Sequence, residues 1–196
     1  MTGGSGTAAW LRQQIRDSGG VASIALFFAL VVILFSVVTE AFLTEPNLLN
    51  ILRQIAPLVI VAVAMTFVIT TAGIDLSVGS ILALVNALSA ISLQAGIPWP
   101  AVVVLMLLLG AAVGLLQGFF VAYEGIPAFI VTLAGLSAIR GVALLLTKGY
   151  SIPIDPASPF TAIGRGWVLG VPLPAIIAVA MLLGGYVLFN ETAFGR

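Results

Sequence analysis

Long stretches without a charged residue constrain the fold of this chain more than any other feature of its sequence. The uncharged stretches are residues 18–39, 54–74, 76–123, 125–139 and 166–190. A helix that crosses the hydrocarbon core of a bilayer needs about 20 mostly apolar residues, at a rise of about 1.5 Å per residue. The stretch 76–123 is long enough for two such helices, with a break at residues 94–100 where Gly96, Pro98 and Pro100 lie. The sequence therefore predicts a membrane protein.

Composition supports this prediction and excludes several functions. Charged residues make up 7% of the 196 residues, against about 25% in soluble domains, and seven basic side chains balance seven acidic ones. Without a basic run the chain lacks the electrostatic surface that binds nucleic acid. The chain contains neither cysteine nor histidine, which excludes disulfides, cysteine nucleophiles, Cys/His zinc sites and serine–histidine triads. We expect no cofactor and no metal.

The predicted fold class is all-α, a polytopic transmembrane helical bundle of about six spans. The spans are placed at residues 21–42, 56–73, 77–94, 100–122, 127–147 and 167–189. The apolar runs are too long for the strands of a membrane β-barrel and lack their alternating pattern. The three prolines of residues 148–166 predict an ordered external loop rather than a helix.

Two segments divide the predicted chain. Residues 1–20 form a cytoplasmic N-terminal tail, in which residues 10–16 are either a short interfacial helix or part of a mobile tail. Residues 21–196 form the transmembrane domain. Arg12 and Arg16 place the N-terminus inside, and six spans return the C-terminus to the same side.

The most informative motif surrounds Asp75, the only charged residue between Arg53 and Glu124. Glycines at 73 and 79 flank it and predict a break between two helical runs. In one interpretation the oxygens of Asp75 and Ser77 cap the following helix at a membrane-edge turn. In the other, the break lines a cavity at membrane depth, where irregular backbone is tolerated. The two interpretations are compatible.

Three segments resemble ABC-transporter permeases of the ribose/monosaccharide import type, which belong to the branched-chain amino acid permease superfamily. They are Gly-Ile-Asp-Leu-Ser-Val-Gly at 73–79, Pro-Ala-Phe-Ile-Val-Thr-Leu at 127–133 followed by Arg140 and Gly141, and Thr-Ala-Phe-Gly-Arg at 192–196. Gln117 stands where many members of the family have asparagine. Family members are usually longer and continue through a coupling helix and further spans, so the resemblance predicts that this chain is the N-terminal part of a longer domain.

The resemblance implies a bacterial ABC importer permease for a monosaccharide, ribose-like or a similar small polar solute, located in the cytoplasmic (inner) membrane. Its implied partners are a separate ABC ATPase, a periplasmic sugar-binding protein, a second permease chain in a homodimer, and membrane lipid. The permease itself is not an enzyme, and the absence of a P-loop motif agrees with ATP hydrolysis on a partner. The alternatives are a secondary transporter or channel, and a non-transporting membrane scaffold.

Candidate substrate-pathway residues are polar or aromatic side chains within the spans and the break: Asp75, Ser77, Asn86, Phe129, Thr132 and Arg140. Arg140 lies about 7 residues, or roughly 10 Å, from the outer end of its span, so it either snorkels to the interface or faces a cavity. Phe129 either stacks on a sugar or packs against lipid and protein. Gly110, Gly114 and Gly118 form a small-residue face typical of helix packing.

Overall fold

The computed structural model describes the backbone of residues 5–193 and the side chains of residues 22–193. The elements are α1 (Ser5–Val38), α2 (Glu45–Thr70), α3 (Val78–Gln94), α4 (Trp99–Ala122), α5 (Ala128–Thr147), a 3-10 helix (Pro159–Thr161), α6 (Ala162–Arg165), strands β1 (Trp167–Val168) and β2 (Val171–Pro172), and α7 (Leu173–Glu191). The helices α2, α4, α5 and α7 are long and apolar enough to cross a membrane, while α3 and residues 22–38 of α1 are shorter apolar helices. The prediction of an all-α transmembrane bundle is confirmed.

The chain forms two compact units, residues 1–51 and residues 52–196. The first unit contains α1 and the first turns of α2. Two contacts stabilise the turn between α1 and α2. The rings of Phe35 and Phe42 stack with their centroids 5.7 Å apart, and Asn47 Nδ2 donates to the carbonyl of Phe42 over 2.8 Å. The division of α1 into a tail and a span at residue 20 stays a prediction, and the side chains of the interfacial segment 10–16 lie outside the described residues.

Helix α3 forms the core of the second unit, packed between α4 and α5. Its buried side chains are almost all small: Ser80, Leu84, Ala87, Ser89 and Ala90. Small residues allow helix backbones to approach closely, and in lipid this packing replaces the hydrophobic effect as the force that holds helices together. The second unit is therefore centred on α3, the shortest of its apolar helices.

The last span begins later than predicted. Residues 167–172 form a two-stranded antiparallel hairpin, and α7 begins at Leu173 rather than at Trp167. The hairpin turns at Leu169 (φ 51°) and Gly170 (φ 81°), the pair of positive φ angles that tight hairpin turns require. Pro172 then ends the strand and Pro174 lies in the first turn of α7, where a missing N–H costs nothing.

Candidate functional site at the break before α3

The break predicted at residues 73–79 is present, and the end of α2 explains how it forms. Ala72 adopts a left-handed backbone conformation (φ 57°), and its N–H donates to the carbonyl of Ile69 over 2.9 Å. The N–H of Gly73 donates to the carbonyl of Val68 over 3.0 Å. These two bonds form a Schellman motif, which usually has glycine at the left-handed position. An alanine there is held against a conformational penalty of about 1–2 kcal/mol.

Asp75 and Ser77 organise the start of α3. One oxygen of Asp75, Oδ1, accepts from the N–H of Ser77 over 2.7 Å and from the hydroxyl of Ser77 over 2.6 Å. The carbonyl of Ser77 then accepts from the N–H groups of Ser80 and Ile81, each over 2.9 Å, which starts the helix. Ser77 is completely buried. The carboxylate thus satisfies the N–H of the residue that precedes the helix, whereas the Ser77 side chain caps no N–H of α3.

The Ser77 hydroxyl also joins α3 to α4. Nε2 of Gln117 lies 3.0 Å from Ser77 Oγ, and Oε1 of Gln117 lies 3.1 Å from it. A serine hydroxyl can donate only one hydrogen bond, and the shorter contact shows that Ser77 donates it to Asp75. The arrangement that satisfies all three groups is a chain in which Gln117 Nε2–H donates to Ser77 Oγ and Ser77 Oγ–H donates to Asp75. A chain of hydrogen bonds that ends on a carboxylate is strengthened by its charge.

Helix α5 holds the break from the other side. The hydroxyl of Thr132, which is buried, lies 3.0 Å from the carbonyl of Ile74 and 2.8 Å from the carbonyl of Ala128. It therefore shares its proton between a backbone group of the break and its own helix. This contact satisfies a carbonyl that no helix or strand satisfies. The break is tied to α4 by one side chain and to α5 by another.

Gly135 leaves the room in which Gln117 sits. A Cβ at position 135 would overlap sterically with Gln117 Nε2 and would lie 3.6 Å from the Cβ of Ser77. The carboxamide of Gln117 thus occupies the space above a glycine of α5 while it reaches the serine of α3. The three helices meet at this point.

Comparison with protein-family models identifies the family of this chain. The family model described as branched-chain amino acid transport system / permease component matches residues 47–196. The chain belongs to this permease family. It is accordingly a multi-pass protein of the inner membrane, as the sequence predicted. No solved structure gives a significant match.

Curated relatives are sugar permeases. The chain is 40% identical over 176 residues to the ribose import permease protein of Haemophilus influenzae, covering 87% of this chain and 54% of that protein. It is 38% identical over 188 residues to the ribose import permease protein of Bacillus subtilis, and 39% identical over 163 residues to the xylose transport system permease protein of Haemophilus influenzae. These matches cover 94% and 80% of this chain. The chain spans about half the length of the curated relatives it matches.

The side chains of the other predicted site residues take no part in the hydrogen bonds of the break cluster, which consists of Asp75, Ser77, Gln117 and Thr132. Asn86, Phe129 and Arg140 are all exposed, Phe129 by 52%. Asn86 and Arg140 make no hydrogen bond or ion pair within residues 22–193. Phe129 and Arg140 are 11 residues apart on α5, which brings them within about 20° of each other around the helix and about 16 Å apart along it. They share one open face of α5.

The small-residue face of α4 is also open. A Cβ placed on Gly110, Gly114 or Gly118 meets nothing within 4 Å among the described residues. A packing role for this face stays a prediction. Close side-chain contacts with another helix occur instead at Gly135 and at Gly185 of α7, where a Cβ would lie 2.6 Å from Val63 Cγ1.

Sequence reasoning named Asp75, Ser77 and Thr132 but missed what joins them. Gln117 is a polar residue within a span, yet no pattern pairs it with a serine 40 positions earlier. Gly135 lies outside every glycine repeat in the sequence. Within the described residues no group of three acidic side chains is placed to hold a metal ion. The third motif, at residues 192–196, falls largely outside the described residues.

Proposed function

We propose that this chain is the membrane-spanning permease subunit, or the N-terminal part of one, of a bacterial ABC importer for a monosaccharide or a similar small polar solute. The observation that carries the proposal is the match to ribose and xylose permeases, which extends over 80–94% of the chain at 38–40% identity. Relatives that are sugar permeases make a sugar a better candidate than the branched-chain amino acids of the family description.

In this proposal the chain carries out no covalent chemistry. A separate ATPase and a periplasmic solute-binding protein each bias an equilibrium between inward-open and outward-open conformations, and the permease supplies a pathway whose affinity differs between them. Two permease chains, in a homodimer surrounded by lipid, enclose that pathway. Family membership supports an ATPase and a solute-binding protein as partners, and the homodimer and its lipid surroundings are part of the proposal.

The break cluster has a structural task in this mechanism. Alternating access needs helices that move as bodies around a pathway rather than helices that deform continuously. The bonds from Gln117 to Ser77 and from Thr132 to Ile74 join α4 and α5 to the non-helical start of α3. We propose that Asp75, Ser77 and Thr132 act on the pathway by fixing this backbone, so that α3, α4 and α5 move together.

The open face of α5 and the exposed Asn86 of α3 are better placed to meet solute. An arginine near the middle of a bilayer costs about 2.5–3.5 kcal/mol or more when lipid surrounds it, so such residues face other protein or water. Arg140 has no acidic partner within residues 22–193. We propose that Arg140 and Phe129, with Asn86 of α3, face the solute pathway at the interface with a second permease chain. A guanidinium donates to sugar hydroxyls, and an aromatic ring covers their apolar C–H face.

Uptake in proteoliposomes tests the proposed function. The chain is reconstituted with its ATPase and binding protein, and radiolabelled ribose and xylose are offered with ATP inside. We expect uptake that stops with an ATPase variant that cannot hydrolyse ATP. Uptake that persists with this variant would show a secondary transporter or channel, and no uptake of any sugar with an active ATPase would favour a scaffold.

A further inference from the structure

A cleft lies at the opposite end of α3 from the break. It has a volume of about 390 Å³, within the range of small-molecule sites, and opens between the end of α3, the start of α4 and the loop that follows α5. Six of its lining residues carry the argument: Gln94, Ile97, Trp99, Ile154, Asp155 and Ser158. The predicted topology places this end of the bundle on the external side of the membrane.

The loop side of the cleft is fixed by hydrogen bonds. Gln94 Nε2 donates to the carbonyl of Pro153 over 3.2 Å, which ties the end of α3 to the loop 59 positions later. Asp155 Oδ1 accepts from the N–H of Ala157 over 2.8 Å, and Ser158 Oγ accepts from the N–H of Phe160 over 3.3 Å. The cleft therefore has a defined wall rather than a loose loop over it.

These bonds leave hydrogen-bonding capacity in the cleft. Gln94 Oε1 and Asp155 Oδ2 have no partner within residues 22–193, and both are acceptors. The hydroxyl proton of Ser158 is not used by the bond that its oxygen accepts. Two acceptors and one donor match the hydroxyl groups of a polyol, each of which both donates and accepts.

The remaining wall is apolar and aromatic. Trp99, the first residue of α4, is 39% exposed, and Ile97 and Ile154 lie beside the same cleft. The C–H hydrogens on one side of a sugar ring carry partial positive charge and are attracted to the negative face of an indole. Asp155 is the only charged residue among those that line the cleft. A carboxylate without a neighbouring cation disfavours anionic solutes and gives an amino acid's carboxylate no partner.

We propose that this cleft is an outer binding subsite for a neutral monosaccharide, in which Trp99 stacks on the sugar ring and Asp155 and Gln94 accept from its hydroxyls. The proposal rests on the proposed function for its choice of solute. A subsite at the mouth of a pathway has to release what it binds, so its affinity is weak, with a Kd in the millimolar range.

Fluorescence of Trp99 tests the proposal directly. The chain has three tryptophans, so the double variant Trp10→Phe and Trp167→Phe leaves Trp99 as the only indole. Purified in detergent and titrated with D-ribose or D-xylose, this variant should show a saturable change, and L-leucine should cause none. Asp155→Asn should raise the Kd about tenfold, because a hydrogen bond to a charged group is lost. Glu124→Gln, at the other end of the bundle, is the matched control and should leave the Kd unchanged.

A second readout does not depend on the indole. Saturation-transfer NMR should detect D-ribose bound to the parent chain and to Trp167→Ala, but not to Trp99→Ala. An unchanged melting temperature of Trp99→Ala shows that this variant is folded. Sugar signals that are equal in Trp99→Ala and the parent, a Kd unaffected by Asp155→Asn, or an equal response to leucine would overturn the subsite. The assay contains no ATPase: binding without ATP-driven uptake would contradict the proposed function alone, and uptake without this binding would contradict the subsite alone.

Discussion

The carboxamide of Gln117 donates a hydrogen bond over 3.0 Å to the hydroxyl of Ser77, and this contact links two helices at a point where the backbone of one of them is not yet helical. Ser77 is fully buried, and its hydroxyl donates a hydrogen bond to Asp75. The contact therefore joins α4 to the carboxylate of the break. A displacement of Gln117 is therefore transmitted through Ser77 to the motif at residues 73–79.

The first prediction concerns Gly135. Replacement by alanine places a methyl group where Gln117 Nε2 lies, and overpacking of this kind costs about 1–3 kcal/mol. We expect Gly135→Ala to lower the thermal unfolding temperature in detergent. Gly141→Ala on the same helix is the matched control, because its Cβ meets nothing within 4 Å and alanine is the better helix former. Equal melting temperatures for the two variants would show that Gln117 adjusts freely.

A second prediction separates the bonds of the break. Ser77→Ala and Gln117→Leu should each lower stability, by about 1–3 kcal/mol, because the first leaves the half-buried carboxamide of Gln117 without its partner and the second leaves the buried hydroxyl of Ser77 without its donor. The double variant should lose less than the sum, with a coupling energy above about 0.5 kcal/mol. Chemical denaturation of the four proteins in a thermodynamic cycle measures this coupling. Additive losses would mean that the contact contributes nothing of its own.

Asp75→Asn tests whether the charge of the break matters. The amide retains an oxygen that can accept from the N–H of Ser77, but it removes the carboxylate that receives the Ser77 hydroxyl proton. We expect normal expression and uptake reduced several-fold in proteoliposomes. Unchanged uptake at unchanged expression would reduce Asp75 to a dispensable cap.

Arg140 and Lys148 lie on α5 and at its end, and they provide a matched pair. Arg140→Ala should abolish or strongly reduce sugar uptake with little change in melting temperature, since Arg140 makes no ion pair within residues 22–193. Arg140→Lys should restore part of the uptake, because a lysine keeps the charge but not the planar fork of donors. Lys148→Ala should leave uptake unchanged. An Arg140→Ala protein that transports at the parental rate would place this side chain at the lipid interface.

Two adjacent glycines of α7 test how closely it packs against α2. At Gly185 a Cβ would lie 2.6 Å from Val63, while at Gly184 it meets nothing within 4 Å. The edge-to-face rings of Phe67 and Phe189, 5.7 Å apart, lie in the same contact. We expect Gly185→Ala to destabilise the protein by about 1–3 kcal/mol and Gly184→Ala to be neutral. Thermal unfolding of the two variants side by side gives the comparison.

Much of the fold was predictable because charged residues mark the ends of the helices. Asp75, Glu124 and Lys148 lie within a few residues of helix ends, since a charged side chain is best accommodated where the chain leaves the hydrocarbon core. The start of α7 was not predictable in this way, because the uncharged residues 166–172 form a hairpin whose turn depends on two positive φ angles.

The candidate site was predictable in part for a similar reason. The glycines around Asp75 indicated a break, and an aspartate two residues before a buried serine is a local pattern. The partners of that pattern are not local: Gln117 and Thr132 lie 40 and 58 positions from the groups they contact. Their pairing depends on how three helices cross, which hydropathy does not specify.

The burial of α3 has a consequence for how the protein is made. Helix α3 has 17 residues, about 26 Å at helical rise, and its buried side carries the hydroxyls of Ser80 and Ser89, with the buried Ser77 just before it. The helices that cover this stripe, α4 and α5, both follow it in the chain. Released into lipid alone, α3 would lie at the short end of the lengths that span a bilayer, and its buried serines would lack their neighbours. We therefore expect the insertion machinery to retain α3 until about fifty further residues have been synthesised, so that three helices enter the membrane as one unit.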